Sequence, residues 1–103
     1  LPTGINGKLE FLDGPEEGRV VTIDTPYISM GRDPRKTIVL EDGSASSRHL
    51  EIFFAKSLAW RIRDLGSTNG TLLNGHAVTE YVLKDGDRLL VGNTRMVFRV
   101  ERD

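Results

Sequence analysis

An all-β fold, an antiparallel β-sandwich or barrel, is the class this sequence predicts, and three observations predict it. Turn-forming pairs recur from end to end: Asp13-Gly14, Asp42-Gly43, Asn69-Gly70, Asn74-Gly75 and Asp85-Gly86. Such residues tolerate the positive φ that tight turns demand. The segments between them are of strand length and alternate with period two rather than 3.6. No stretch reads as an amphipathic helix. Many short strands with closely spaced turns make a sandwich or barrel, and such a fold gathers its loops at the ends of the sheets, where binding residues usually sit.

The elements follow in order. Lys8 to Leu12 and Arg19 to Ile23 read as a first hairpin, with Asp13-Gly14-Pro15 opening its loop. Tyr27 to Gly31 follows Pro26, and Thr37 to Leu40 is a brief apolar run rich in β-formers. Leu50, Ile52 and Phe54 alternate with Glu51 and Phe53, and Leu58, Trp60 and Ile62 alternate with Ala59, Arg61 and Arg63. The last stretch sets Met96, Phe98 and Val100 on one face and Arg95, Arg99 and Glu101 mostly on the other. These apolar faces are the candidate core. No internal repeat or low-complexity linker interrupts them.

With 103 residues the chain has the size of one domain, residues 1-103, and one fold must carry the function. Its start at Leu1 rather than methionine suggests a processed product or a domain cut from a longer protein. The formal net charge is only -1, so no polybasic surface for nucleic acid is expected, and any anion must be held by a local cluster. No run approaches the ~18 apolar residues of a membrane span, and no signal peptide is evident. The chain has no cysteine, which excludes disulfides, a thiol nucleophile and thiolate zinc sites, and fits a cytoplasmic setting.

Three segments concentrate small polar residues: Ser29-Met30-Gly31-Arg32-Asp33, Ser44-Ala45-Ser46-Ser47-Arg48-His49 and Asp64-Leu65-Gly66-Ser67-Thr68-Asn69-Gly70-Thr71. Singly, each is ordinary turn material. Arg32 has the alternative of a surface ion pair with Asp33 or another acid. Asn69 has the alternative of opening a type I′ turn, or of serving as both turn and ligand contact. His49 beside Ser46 and Ser47 suggests a serine hydrolase, but no Gly-x-Ser-x-Gly elbow or third group accompanies it, and His76 lies far along the chain. Two histidines without a spacing motif make a poor metal site, and no Gly-x-x-x-x-Gly-Lys loop supports nucleotide hydrolysis.

Taken together, in the order Gly-Arg, Ser-x-x-His, Ser-Thr-Asn-Gly-Thr and Leu-Asn-Gly, the motifs closely resemble the forkhead-associated (FHA) family. The resemblance runs from the first hairpin through Asp33-Pro34, Thr37-Ile38-Val39-Leu40 and Leu83-Lys84-Asp85-Gly86-Asp87 to Gly92. It implies a β-sandwich of about eleven strands whose loops at one end bind phosphothreonine on a partner protein in signalling, in trans or in the parent chain, with no enzyme activity and no cofactor. It places Arg32, Ser46 and Thr68 against the phosphate and Asn69 against the peptide backbone. His49 becomes a brace for the loops. Ser47 stands where such families often carry Arg or Asn, and its contribution falls to its backbone N–H. Ser44 and Arg48 belong to the loop that selects peptide residues after the phosphothreonine.

The chemistry favours the same residues. A phosphothreonine carries about -1.5 to -2 charge and three strong acceptor oxygens, so it requires a fixed cation ringed with donors. Arg32 offers the cation and a planar fork of N–H groups, while Ser46 and Thr68 offer hydroxyls from two other loops. Gly31 and Gly70 let the backbone turn tightly or approach a ligand closely. Ser44 offers neither cation nor apolar surface, so weak selection at the third residue after the phosphothreonine is expected, with Glu41 and Asp42 disfavouring acids there and Arg35, Lys36 and Arg48 attracting them elsewhere. The alternative is an FHA-type fold that has lost phosphate dependence and serves as an interaction or self-association surface, which Ser47 favours and the retained Arg32, Ser46 and Thr68 oppose.

Overall fold

Alternating inward positions build two sheets, and the inward side chains of both make one core. The structure, a computed structural model, describes residues 1–102; Asp103, the last residue of the expected domain, lies outside the described residues. It contains eleven strands and, among the described residues, no helix: β1 Ile5–Phe11, β2 Val20–Ile23, β3 Tyr27–Gly31, β4 Ile38–Val39, β5 Leu50–Phe54, β6 Trp60–Asp64, β7 Thr71–Leu73, β8 His76–Ala77, β9 Glu80–Leu83, β10 Arg88–Val91 and β11 Thr94–Arg102. A six-stranded sheet has the order β2-β1-β11-β10-β7-β8 and a five-stranded sheet the order β4-β3-β5-β6-β9. The expected all-β sandwich of about eleven strands is therefore the observed one.

The period-two reading explains which faces are buried. Leu9, Phe11, Ile23, Met96 and Phe98 from one sheet meet Ile28, Met30, Leu50, Ile52, Trp60 and Ile62 from the other. Each such side chain contributes about 1.5–3 kcal/mol when fully buried. Trp60 bridges the layers, edge-on to Phe54 at 5.2 Å and to Phe98 at 5.7 Å between ring centroids. A Cβ on Gly7 would lie 3.1 Å from the Phe98 ring, so the glycine in β1 makes room for that ring.

Several expectations are corrected. The strand expected from Leu58 begins at Trp60; Leu58 sits in a turn at φ 62° with its side chain 74 % exposed. Alternation alone missed that turn, because the bond from the Leu58 N–H to the Ala55 carbonyl bends the chain before the ladder starts. The sheets are not wholly antiparallel, since β3 and β4 pair in parallel over two residues. The loop between them doubles back, fixed by the Lys36 N–H on the Asp33 carbonyl and the Leu40 N–H on the Gly31 carbonyl. The type I′ turn is at Asn74-Gly75, where both φ values are positive and β7 pairs with β8, whereas at Asn69-Gly70 only the glycine is positive. Asn69 therefore opens no hairpin; its loop carries the chain from the five-stranded sheet to the six-stranded one. Gly43 has no positive φ either, because the Asp42-Gly43 turn is made by Asp42 accepting the Ala45 N–H.

Candidate functional site

At one end of the sandwich, three loops meet: Arg32–Thr37 after β3, Leu40–His49 before β5 and Leu65–Gly70 after β6. The first two are laced by backbone. The Arg32 N–H donates to the Ser46 carbonyl at 3.0 Å, the Asp33 N–H to the Ser47 carbonyl at 3.3 Å, and the His49 N–H to the Met30 carbonyl at 3.0 Å. This lacing leaves no room at Gly31, where a Cβ would fall 2.1 Å from the Ser47 carbonyl oxygen and 2.9 Å from that of Ser46. Gly31 thus serves a close backbone crossing between loops.

Arg32 is exposed, and its Nε donates to the Ala45 carbonyl. No carboxylate pairs with it among the described residues. Asp33, its expected partner in the ion-pair alternative, is held instead by Arg35, whose Nη2 lies 2.7 Å from Oδ2 and whose guanidinium and backbone bonds draw the Asp33 carboxyl down to about 2. The guanidinium of Arg32 is therefore aimed by a carbonyl, which fixes its direction without neutralising its charge.

His49 is fully buried and its ring ties the second loop to the third. Its Nδ1 accepts the Ser46 N–H at 3.0 Å, so Nε2 carries the proton and donates to the Gly70 carbonyl at 2.9 Å. Gly70 itself has φ +79°, the turn that presents this carbonyl. Ser46 Oγ accepts the Thr68 N–H at 2.9 Å. That bond uses a lone pair and leaves the hydroxyl proton of Ser46 to donate elsewhere. The Thr68 side chain is exposed beside it, and Asn69 Nδ2 donates to the Ser44 carbonyl at 2.9 Å, which leaves its Oδ1 as an outward acceptor.

Arg32, Ser46, Ser47, Thr68, Asn69 and Ser44 are thus gathered at one end, with Gly31, His49 and Gly70 beneath them. Arg48 is exposed in the same loop, between Ser47 and the buried His49. Asp42 departs from its expected place facing a peptide, because it is buried and its carboxylate is occupied within the fold. Its Oδ1 accepts the Ser44 N–H at 2.9 Å, and its Oδ2 accepts the Asn93 N–H at 2.8 Å and the Thr94 hydroxyl at 2.7 Å.

Sequence reading also missed Asp64. Its Oδ2 accepts the N–H groups of Gly66 and Ser67 at 2.9 and 3.0 Å, and its Oδ1 accepts the hydroxyls of Ser67 and Thr71 at 2.6 and 2.8 Å. Burial opposes ionisation at Asp64, but these four donors outweigh it and hold the carboxyl below the usual range. Burial likewise opposes ionisation at Asp42, and Thr94, Ser44 and Asn93 outweigh it. The Asp-x-Gly-Ser spacing at Asp64 is a readable Asx-turn signal. Asp42 has no such signal for its partners some fifty residues away.

The chain is similar to known proteins over most of its length. A model of the family described as FHA domain matches residues 28–92. The glycogen accumulation regulator GarA of Mycolicibacterium smegmatis is 38% identical over 98 residues, covering 95% of this chain and 61% of that protein. The oxoglutarate dehydrogenase inhibitor of Corynebacterium diphtheriae is 36% identical over 92 residues, covering 89% and 64%. The chain thus spans a little over three fifths of the length of these relatives. A structure solved for a structural and functional analysis of phosphothreonine-dependent FHA domain interactions superposes with a TM-score of 0.82 at 33% identity, covering 91% of this chain and 95% of that one.

Proposed function

The chain belongs to the FHA family, and from that premise we propose that it is a phosphothreonine-binding module that recruits a phosphorylated segment of a partner protein in signalling, in trans or from its own parent chain. Residues 1-103 act as one domain within a longer cytoplasmic protein, and the module recruits without a reaction of its own. The observation that carries this reading is Arg32: among the described residues a cation with no acid, aimed by the Ala45 carbonyl beside a Ser46 hydroxyl whose lone pair is used and whose proton is not. A dianion with three acceptors fits this set, because it supplies the charge that Arg32 lacks and the acceptors that Ser46, Thr68 and the Ser47 N–H require. Asn69 Oδ1 is placed to accept a peptide N–H next to the phosphorylated residue.

Isothermal calorimetry tests the reading. A phosphothreonine peptide taken from an oriented library should bind with Kd of roughly a micromolar, about -8 kcal/mol, and its unphosphorylated form at least about tenfold more weakly. Equal affinities would favour the phosphate-independent alternative. The same library tests the loop preference. Ser44 Oγ already accepts the Asn93 side-chain amide at 3.0 Å and brings no cation, so selection at the third residue after the phosphothreonine should be weak. Exposed Arg48 favours acidic residues elsewhere along the peptide.

A further inference from the structure

We infer that buried Asp42, which touches no ligand, is a positioning residue for phosphothreonine recognition, acting through the Ala45 carbonyl on Arg32. The inference rests on the function proposed above and adds to it the device that sets the arginine's direction. Asp42 sits at the root of the loop before β5, only 6 % exposed. Its carboxylate clamps that loop at Ser44 and reaches across to Asn93, in the turn between β10 and β11, and to Thr94, which begins β11 in the other sheet.

The clamp continues through the backbone. The Asp42 carbonyl accepts the Ala45 N–H at 3.0 Å, the Ala45 methyl is buried in the core, and the Ala45 carbonyl receives Arg32 Nε. An arginine side chain has several free torsions, so an uncharged acceptor can direct it only if that acceptor is itself immobile. Asp42 immobilises it from two sides of the sandwich. Gly92 shows how closely the device is fitted: a Cβ there would lie 2.8 Å from Asp42 Oδ2 and 2.9 Å from the Ala45 nitrogen. Replacing the carboxylate by an amide keeps size but puts an NH2 where one oxygen was, so in either orientation it faces the Ser44 N–H or the Asn93 N–H, donor against donor.

The test has two parts. Without any peptide, exchange of the Arg32 Nε proton is followed by NMR in the native chain, in Asp42→Asn and in the milder Thr94→Val, which only removes one donor to the carboxylate. Exchange should speed up at least fivefold in Asp42→Asn and by a smaller factor in Thr94→Val, with the backbone spectrum otherwise folded. With the phosphothreonine peptide as probe, Asp42→Asn should weaken binding about tenfold in the native background and less than twofold beside Arg32→Ala. A stabilising role alone would instead leave Arg32 Nε exchange unchanged, or give equal losses in both backgrounds, and either result overturns the inference. Thr94→Val supplies both readouts if Asp42→Asn does not fold. The exchange measurement is independent of the peptide, so a failure of phosphothreonine binding and a failure of the clamp are told apart.

Discussion

Two Arg-Asp pairs close strands of the same sheet, Arg32-Asp33 after β3 and Arg63-Asp64 at the end of β6, and they end in opposite electrostatic states. Arg63 donates to Glu51 at 2.7 Å and to Glu80 at 2.8 Å, lies 4.7 Å above the Phe53 ring, and shares Glu80 with Arg61. Its charge is spent within the outer face of the sheet. Arg32 has no acid among the described residues and a carbonyl for its only side-chain partner. The aspartates diverge too: Asp33 is taken by Arg35 on the surface, while Asp64 turns inward and orders the loop that carries Thr68. An arginine kept short of anions is available to a ligand, whereas one saturated by neighbours is part of the framework.

The largest effect should come from removing Arg32, which has no acid among the described residues. Arg32→Ala should cost about 2 to 4 kcal/mol of phosphopeptide binding, roughly 30-fold or more in Kd, with little change in melting temperature, as calorimetry and thermal melts would show. His49→Ala should act on the framework below it. It strands the Ser46 N–H and the Gly70 carbonyl, so about 2 to 3 kcal/mol of stability should be lost along with binding. If melts found Arg32→Ala unfolded and His49→Ala native, the roles of ligand contact and brace would be exchanged.

Ser46→Ala and Thr68→Ala should each cost about 1 to 2 kcal/mol of binding, since a neutral donor is lost while the cation stays. Ser46→Ala should also lower stability slightly, because the Thr68 N–H loses its acceptor.

Acid should act next, and through the aspartates. Asp42 and Asp64 have carboxyls below their ordinary value in the folded chain, so on acidification the unfolded state takes up protons first. Their contribution is complete above the ordinary carboxylate pKa of about 4 and is lost as pH falls through the lower folded values. Urea unfolding between pH 5 and pH 2 should show this fall, and Asp64→Asn should lose stability near pH 6 and flatten the acid limb. A limb as steep in the variant as in the native chain would show that Asp64 is not one of the groups responsible.

Arg63→Ala is the smallest expected effect and the direct control for Arg32→Ala. Exposed pairs contribute little, so phosphopeptide affinity should stay within about twofold and stability should change only slightly. Loss of binding in this variant would erase the distinction drawn between the two arginines.

Much of this was legible before any coordinates. Tyr27–Gly31 and Leu50–Phe54 coincide with their expected limits, because alternation and flanking turn residues are properties of a few consecutive side chains. The family resemblance pointed to Arg32, Ser46, Thr68 and Asn69, and the fold brings them to one end of the sandwich. Leu58 misled, since an apolar residue at an alternating position reads the same whether the backbone is extended or bent. Asp42 misled for another reason: its acidic side chain looks like surface until Asn93 and Thr94, beyond β10, bring two donors to it and its own loop supplies a third from Ser44.

By itself the sequence determined the period of each strand, most of the turn positions and the chemical types of the loop residues, because those depend on local sterics and on which face can be apolar. Only the tertiary structure decided that Arg63 is paired with acids while Arg32 has none among the described residues, why Gly31 admits no side chain and where Asp42 points. Each of those depends on the register of strands and the crossing of loops, with partners 13 residues apart for Arg32 and Ala45 and 52 apart for Asp42 and Thr94. No local rule reaches that far: such contacts exist only once two sheets have buried a common core.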